Sequence, residues 1–405
     1  MHVFAGTTVL EFGAGAAGPV ATRYFADHGA TVIRIESRQR PDFLRTLRLT
    51  PDTPGGLDGA HHFAVLNANK LSVALNLSRP EGVAVARRLA LRADAVAENF
   101  APGAMAKWKL DYASLVRDRP DLVMISTCLN GQTGPERHYP GFGGQGSALA
   151  GFNHLTGWPD REPLGPFGTI TDSLSPRFAA LLLASALLHR RQTGHGQHID
   201  LSQVEAGIVC LSESILTYTA NGEVLDRLGS RSRAAAPHAV LPCADENGRD
   251  RWVAIAVHDD EDWRHLVHAL GEPAWAADPA LATIAGRLAR VDEIERRLAE
   301  WTSAQTPIAV ATRLQEAGVD AAPVHDFSDL HRDAQLAHRR HFREVEHAVL
   351  GRYPAETDAL RFSATEPRIE TGAPLLGEHT EHVLRDLLGM PADEFARLRA
   401  AGVLE

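Results

Sequence analysis

The sequence predicts an α/β protein in which a large domain built on a parallel sheet is followed by a smaller α+β domain. Three observations carry that reading. Over the first 130 residues, short β-rich runs ("TTVLEF", "TVIRIE", "KLSVALNL", "DAVAENF", "DLVMIST") alternate with amphipathic helical segments such as "PVATRYFADHG" and "PEGVAVARRLALRA", which is the pattern of parallel strands joined by crossover helices. The first strand runs through Gly13-x-Gly15-x-x-Gly18 straight into a helix. Near residue 225 the texture changes to a loop and strands, "RLGSRSRAAAPHAVLPCADENGRDRWVAIAV", and then to charged helices. The expected boundaries are therefore 1–224 for the large domain, 225–330 for the small one, and 331–405 for a C-terminal segment that returns to the large domain.

The N-terminal unit comes first. Its strand, glycine-rich turn, helix and second strand ending in Glu36 match the dinucleotide fingerprint. Glycines permit a tight turn and close backbone approach to a phosphate, and the helix N-terminus offers free N–H groups. The pattern fits a phosphate-bearing ligand of several kinds, NAD among them. Arg38 and Arg40 follow the second strand and read either as solvated charges or as contacts to a phosphate on the ribose, which plain NAD lacks.

Further along, Ser78-Arg79-Pro80-Glu81 and Pro102-Gly103 mark helix starts, each with a proline suited to a first turn. The run "GQTGPERHYPGFGGQGSALAG", residues 131–151, has little helical period and is expected to be a loop. Asp172 follows, in "GTITDSLSPRFAALLL". It reads either as a helix cap or as a functional carboxylate. Ser175-Pro176 supplies a cap and first-turn proline of its own, which places Asp172 upstream of the helix. Phe178 to Leu188 is apolar on nearly all faces and is expected to be buried. The segment "RRQTGHGQHIDLSQVEAG" then gives a loop, a strand and a helix, and the C-terminal stretch closes with amphipathic helices.

Composition narrows the chemistry. The formal net charge of −10 over 405 residues offers no overall positive field for nucleic acid. Cys128, Cys210 and Cys243 form no close pair, which points away from disulfides and thiolate metal sites. The twenty histidines are scattered, and His61-His62 or His338 with His341 lack partners at ligand spacing. HExxH, GxSxG, GxxxxGK[ST] and CxxC motifs are missing. The opening "MHVFAGTTVLEF" is unlike a secretory signal, and the longest apolar run is too short to span a bilayer. The expectation is a cytoplasmic chain with neither membrane nor nucleic-acid partners.

Several segments, taken in order, resemble the class III CoA-transferases, the family of formyl-CoA transferase, carnitine CoA-transferase and α-methylacyl-CoA racemase. They are "VLEFGAGAAGPVATRYFADHGATVIRIE", "NKLSVALNLSRPEG", "DAVAENFAPGAM", "ISTCLNGQTGP", "GTITDSLSPRFAALLLASALLHRRQTGHGQHIDLS" and "PLLGEHTEHVL". The resemblance implies a Rossmann-like large domain that binds CoA, a small domain that closes over it, and two ring-shaped subunits interlocked as a homodimer, with a related subunit as the alternative partner. It implies Asp172 as the nucleophile. The implied CoA contacts fall on Ala16 and Ala17, on Arg38, and on Leu75, Asn76, Leu77 and Ser78. They continue on Asn99, Phe100, Ala101 and Lys107, and on Cys128, Leu129, Asn130 and Gly131. It implies acyl-CoA and a carboxylic acid as substrates, no further cofactor and no metal.

There are departures from formyl-CoA transferase. Ala16 replaces a glutamine and Cys128 replaces a basic residue. The segment around Arg227 to Arg233 is similar to the carnitine-type branch, with these arginines as a candidate lid, so formate and oxalate are disfavoured substrates. The racemase branch uses a histidine where this chain has Phe142, which cannot exchange a proton. His138, four residues away, keeps racemisation as the runner-up. For the tetrahedral intermediates of a transferase, the backbone N–H groups of Gly141 to Gly146 are the expected donors. Phe142, Phe152 and Trp158 are expected to line a pocket for a mid-sized or aromatic acid, and succinyl-CoA is a candidate donor. A reading from another class, a non-catalytic CoA- or NAD-binding protein, uses the same N-terminal unit.

Overall fold

A computed structural model describes residues 2–166 and 169–405. The chain divides into two compact units, one formed by Met1–Phe152, Gly165–Glu223 and Gln335–Glu405, the other by Asn153–Leu164 and Val224–Ala334.

The first unit is organised by a six-stranded sheet of β1 (Thr8–Phe12), β2 (Thr31–Glu36), β3 (Leu71–Ala74), β4 (Ala95–Glu98), β5 (Val123–Cys128) and β6 (Gln197–Ser202). The order is β3-β2-β1-β4-β5-β6 and every pairing is parallel. Strand periodicity sorts the side chains to two faces. Leu10, Phe12, Ile33, Ile35, Val96 and Met124 face one core, with Val85 and Leu89 of the Pro80–Arg92 helix. Val9, Val32, Ala95, Ala97, Val123 and Ile125 face the other, with Phe25 of the Ala17–Asp27 helix and Ala179, Leu183 and Ala186 of the Ile170–Thr193 helix. Covering both faces explains why these strands read as nearly continuous apolar runs.

Two charged side chains break that apolar rule. Glu11 and Arg34 sit directly opposite each other in register, fully buried and ion-paired, and Lys70 Nζ donates to Glu11 at 2.8 Å. Burial pushes Glu11 up, but the Lys70 and Arg34 charges win and hold its carboxyl down at about 2. At the edge strand β3, the chain's end returns: Leu404 bridges Leu75, and Thr380 Oγ1 accepts from Ala74 N–H at 3.0 Å. That return covers ladder groups which an open edge would expose. A separate hairpin pairs β10 (Phe342–His347) with β11 (Gly351–Glu356).

In the second unit β7 (His238–Glu246), β8 (Arg249–Ala256) and β9 (Asp320–Pro323) form an antiparallel sheet. Its inner residues Leu241, Val253 and Ile255 pack with Leu266, Leu298 and Leu314 of three amphipathic helices.

Three local expectations are corrected. The long helix begins at Ile170, so Asp172 lies in its first turn and Pro176 inside it. Proline has no N–H to offer the carbonyl four residues back, here that of Asp172. Within the expected loop 131–151, Gly143–Leu149 is helical. Its glycines serve contact rather than flexibility: a Cβ on Gly146 would meet Thr171 Oγ1 at 2.6 Å. Finally, the Phe178–Leu188 run is not buried all round, for Leu181 is 64 % and Leu188 56 % exposed. One face packs on the sheet, while the other, continued by exposed Val209, Leu216 and Tyr218, is bare in the single chain.

Candidate active site

The strand order reverses between β1 and β4, which leaves a crevice at the carboxyl ends of the strands, the usual ligand position in such sheets. A cavity of about 390 Å³ lies there. It is lined by residues 14–17 after β1, 99–102 after β4, 127–129 across the end of β5, and 137–142, together with Phe43, Asp172 and Gln203. Of the expected site residues, Ala16, Ala17, Asn99, Phe100, Ala101, Cys128, Leu129 and Asp172 meet in this cavity. Asn130 and Gly131 line a second cavity with Asp200 and Ser202, which shares Arg137 with the first.

Arg38, Leu75 to Ser78 and Lys107 line neither. Arg38 is tied to the C-terminal segment: its N–H donates to Glu405 Oε2 at 2.5 Å and its Nη2 to the Leu376 carbonyl at 3.0 Å. Leu75 is buried under Leu404, and Asn76 Oδ1 accepts from the N–H and hydroxyl of Ser78 at 3.0 and 2.5 Å. Leu77 is half-buried, and Lys107 is exposed at the end of the short Ala104–Lys107 helix.

The glycine-rich turn is held by its own chain. Gly15 has φ +76°, and a Cβ there would strike the Phe43 ring at 2.5 Å. Its N–H donates to both carboxylate oxygens of Asp42 at 3.1 Å. Asn99 clamps Ala14 from both sides, accepting from its N–H at 3.2 Å and donating to its carbonyl at 2.8 Å. Glu36, the acidic residue of the fingerprint, is buried and receives Arg45 Nε and Nη2 at 2.9 Å each and Ser72 Oγ at 2.6 Å. Burial works to raise its pKa, but the Arg45 hydrogen bonds and the Arg34 and Arg45 charges hold it below the usual value. In this chain neither the Gly15 amide nor the Glu36 carboxylate is free to hold a dinucleotide.

Asp172 is half-buried where the first turn of its helix meets the start of the Gly143–Leu149 helix. Gln203 Nε2 donates to Asp172 Oδ1 at 3.2 Å, and the Gly143 N–H and Thr169 hydroxyl also donate to the carboxylate. Burial raises the Asp172 pKa, and these three donors lower it only in part. Gly143 must be glycine: a Cβ would fall 2.4 Å from Asp172 Oδ2 and 2.7 Å from Thr169 Cβ. Thr171 Oγ1 fixes the pair of helices by donating to the Gly143 carbonyl at 3.0 Å.

Among the lining residues that sequence reasoning missed as site members are Phe43, Arg137, Tyr139 and Gln203. Phe43 packs against Phe142 at 5.5 Å between ring centroids. Arg137 is the cationic side chain of the lining, and its Nε donates to His138 Nε2 at 3.0 Å. No local pattern marks these positions, because only the fold brings them to the crevice. Conversely, Phe152 and Trp158 are absent from the lining; Trp158 belongs to the second unit, beside Gly229. The suggested lid arginines are engaged there as well. Arg231 Nη2 reaches Glu295 Oε2 at 2.6 Å, and Arg227 Nη1 donates to the His154 carbonyl at 3.1 Å.

Beneath the cavity, Glu98 at the end of β4 accepts from Phe100 N–H at 2.8 Å and is bonded to Ser126, which in turn meets His198 Nε2 at 3.0 Å. Burial raises Glu98 to about 7, against the lowering hydrogen bonds of Ser126 and Phe100. Burial and the neighbouring Glu98 and Asp200 push the Cys128 thiol up to about 11, so it is no ready nucleophile. Among the described residues no cluster of three or more His, Cys, Asp or Glu side chains could hold a metal, and no helix is long and apolar enough to cross a membrane.

Comparison with known proteins places this geometry. The chain is 34 % identical over 98 % of its length to succinyl-CoA:D-citramalate CoA-transferase of Chloroflexus aurantiacus, covering 96 % of that protein. It is 31 % identical to the β subunit of succinyl-CoA:L-malate CoA-transferase from the same organism, covering 99 % of this chain and 98 % of that one. A crystal structure of a CAIB/BAIF family protein from Brucella suis superposes with a TM-score of 0.87 at 29 % identity, over 96 % of this chain and 99 % of that one. The sequence pattern of CoA-transferase family III matches residues 4–380. The chain belongs to CoA-transferase family III, and its relatives support a CoA-transferase activity.

Proposed function

We propose that this enzyme moves CoA from an acyl-CoA to a carboxylic acid with Asp172 as the covalent nucleophile. The observation that carries the reading is a half-buried carboxylate, held by three donors, in the crevice at the switch point of the sheet. Attack of Asp172 on the thioester carbonyl expels CoA thiolate and leaves an aspartyl acyl anhydride. The thiolate attacks the aspartyl carbonyl, expels the first acid and leaves an aspartyl-CoA thioester. The acceptor carboxylate then attacks that thioester and the thiolate is released again; its attack on the new anhydride frees the acceptor acyl-CoA and Asp172. Each intermediate keeps the acyl group activated, so no ATP is consumed.

The pantetheine arm fits the cavity, with Ala16, Ala17, Asn99 to Ala101, Cys128 and Leu129 about it, and the nucleotide lies along the carboxyl edge of the sheet. Arg38 and Lys107 follow β2 and β4 on that edge, as Leu75 to Ser78 follow β3 and Asn130 and Gly131 follow β5. As substrates we propose succinyl-CoA and a short dicarboxylic acid. Named relatives use succinyl-CoA with D-citramalate or L-malate, and Arg137 gives this cavity a cation for a second carboxylate. Racemisation would need a second base; Phe142 supplies none, and His138 Nε2 already accepts from Arg137. The bare apolar faces around Leu181, Leu188 and Leu216 support pairing of two copies.

The test is Asp172→Ala. It should bind CoA and lose transfer, while wild type incubated with succinyl-CoA should carry a hydroxylamine-sensitive adduct on the Asp172 peptide. Transfer by the variant, or an adduct elsewhere, overturns the assignment.

A further inference from the structure

We infer that Gln203 is the oxyanion donor for the steps that occur at the carbonyl carbon of Asp172 itself. The inference rests on the covalent route proposed above. That route has two kinds of tetrahedral centre. When Asp172 attacks acyl-CoA, charge gathers on the substrate carbonyl oxygen. When CoA thiolate attacks the aspartyl anhydride, or an acid attacks the aspartyl-CoA thioester, charge gathers on an oxygen of Asp172.

Which oxygen that is follows from the contacts. Oδ1 is held by Gln203 Nε2 at 3.2 Å, whereas Oδ2 is left uncrowded by Gly143, on which a Cβ would come within 2.4 Å of it. With Oδ2 as the attacking atom, Oδ1 remains as the carbonyl oxygen of both covalent intermediates. Thiolate attack at Cγ opens the Cγ=Oδ1 double bond and places a full negative charge on Oδ1; collapse restores the double bond and expels the carboxylate through Oδ2. Oδ1 thus passes from about half a charge in the free carboxylate to a near-neutral carbonyl in the anhydride, and to a full charge in the intermediate. A fixed donor on Oδ1 stabilises that last state most, and such differential stabilisation accelerates the step.

Gln203 suits the role physically. It is buried, it opens the Gln203–Val209 helix directly after β6, and it lines the same cavity as Asp172. Ser202 anchors that turn, its hydroxyl donating to the Leu129 carbonyl at 3.2 Å and accepting from Glu205 N–H at 3.2 Å. A donor on a braced helix start needs no reorganisation when charge develops.

The experiment uses Gln203→Leu and Gln203→Met, apolar side chains of similar size. Single-turnover loss of succinyl-CoA, followed by rapid quench, reports attack at the substrate carbonyl; steady-state transfer to an acid also includes both steps at Asp172 Cγ. Transfer should fall on the order of 100-fold, with succinyl-CoA loss slowing less than 10-fold and CoA affinity, which also reports folding, within 3-fold of wild type. Equal losses in succinyl-CoA consumption and transfer would make Gln203 only a positioning residue for the nucleophile and overturn the oxyanion role. Transfer within 3-fold of wild type in either variant that binds CoA would also overturn it. A wild-type chain that shows no transfer at all would refute instead the function on which the inference rests.

Discussion

The N–H of Gly15 donates to both carboxylate oxygens of Asp42, so an internal carboxylate occupies the place where a glycine-rich turn otherwise cradles a phosphate. Asp42 also accepts from Leu44 N–H at 2.8 Å and pairs with buried Arg34. Asp42→Ala should therefore cost about 3 kcal/mol of stability, read as a lower urea midpoint, because it leaves Arg34 and two amides short of a partner. In wild type, NADH titration should show no saturable binding, whereas CoA should raise the melting temperature.

Asp172 must be ionised to attack. Its pKa is raised by burial, so the acid limb of kcat/KM should lie above 3.8, the ordinary value for an aspartate. Activity should fall as pH drops through that raised pKa, and Gln203→Leu, which removes a lowering hydrogen bond, should move the limb to higher pH. A limb at or below 3.8 would argue against the burial.

Gly143→Ala is the sharpest packing test. The new methyl would sit 2.4 Å from Asp172 Oδ2, and the carboxylate must move. Transfer should drop at least about 100-fold, since small displacements of a reacting group carry that cost. CoA binding should persist.

Glu98 titrates at about 7 in the fold against a usual value of 4.5. The folded chain therefore binds the extra proton, and Glu98 weakens stability as pH rises from 4.5 to about 7, with no further change above. Glu98→Gln can keep the bond from Phe100 N–H without the charge. Its melting temperature should exceed wild type at pH 8 and match it below pH 4.5.

Arg137→Ala should raise KM for dicarboxylic acids by about 10-fold or more and leave monocarboxylic acids unchanged, given the strength of a paired carboxylate. A uniform rise for every acyl-CoA would mean that Arg137 meets the CoA phosphates instead.

Much of the sheet was legible because its strands are buried on both faces and punctuated by glycine and proline. The Asp172 segment was legible as a motif, but its geometry was not. A proline in "SLSP" reads as a helix start, yet contact with the Gly143–Leu149 helix extends the long helix back to Ile170, beyond the reach of local rules. The glycines of residues 141–146 read as part of a loop for the same reason; the close neighbours of Gly141, Gly143 and Gly146 appear only after folding. Glu36 and Gly15 looked like ligand groups, and only Arg45 and Asp42, several residues on, show them engaged. Gln203 left no trace at all, since a glutamine one residue after a strand carries no signal.

If two copies pair as proposed, the bare side of the Ile170–Thr193 helix ties the molecule to its own concentration. Leu181 and Leu188, covered by a second chain, would then contribute to stability through mass action, so the melting temperature should climb with protein concentration and dilution should erode it. Turnover per chain would depend on how much enzyme is in the cuvette, and a rate measured at nanomolar dilution would report the association equilibrium together with the chemistry proposed for Asp172.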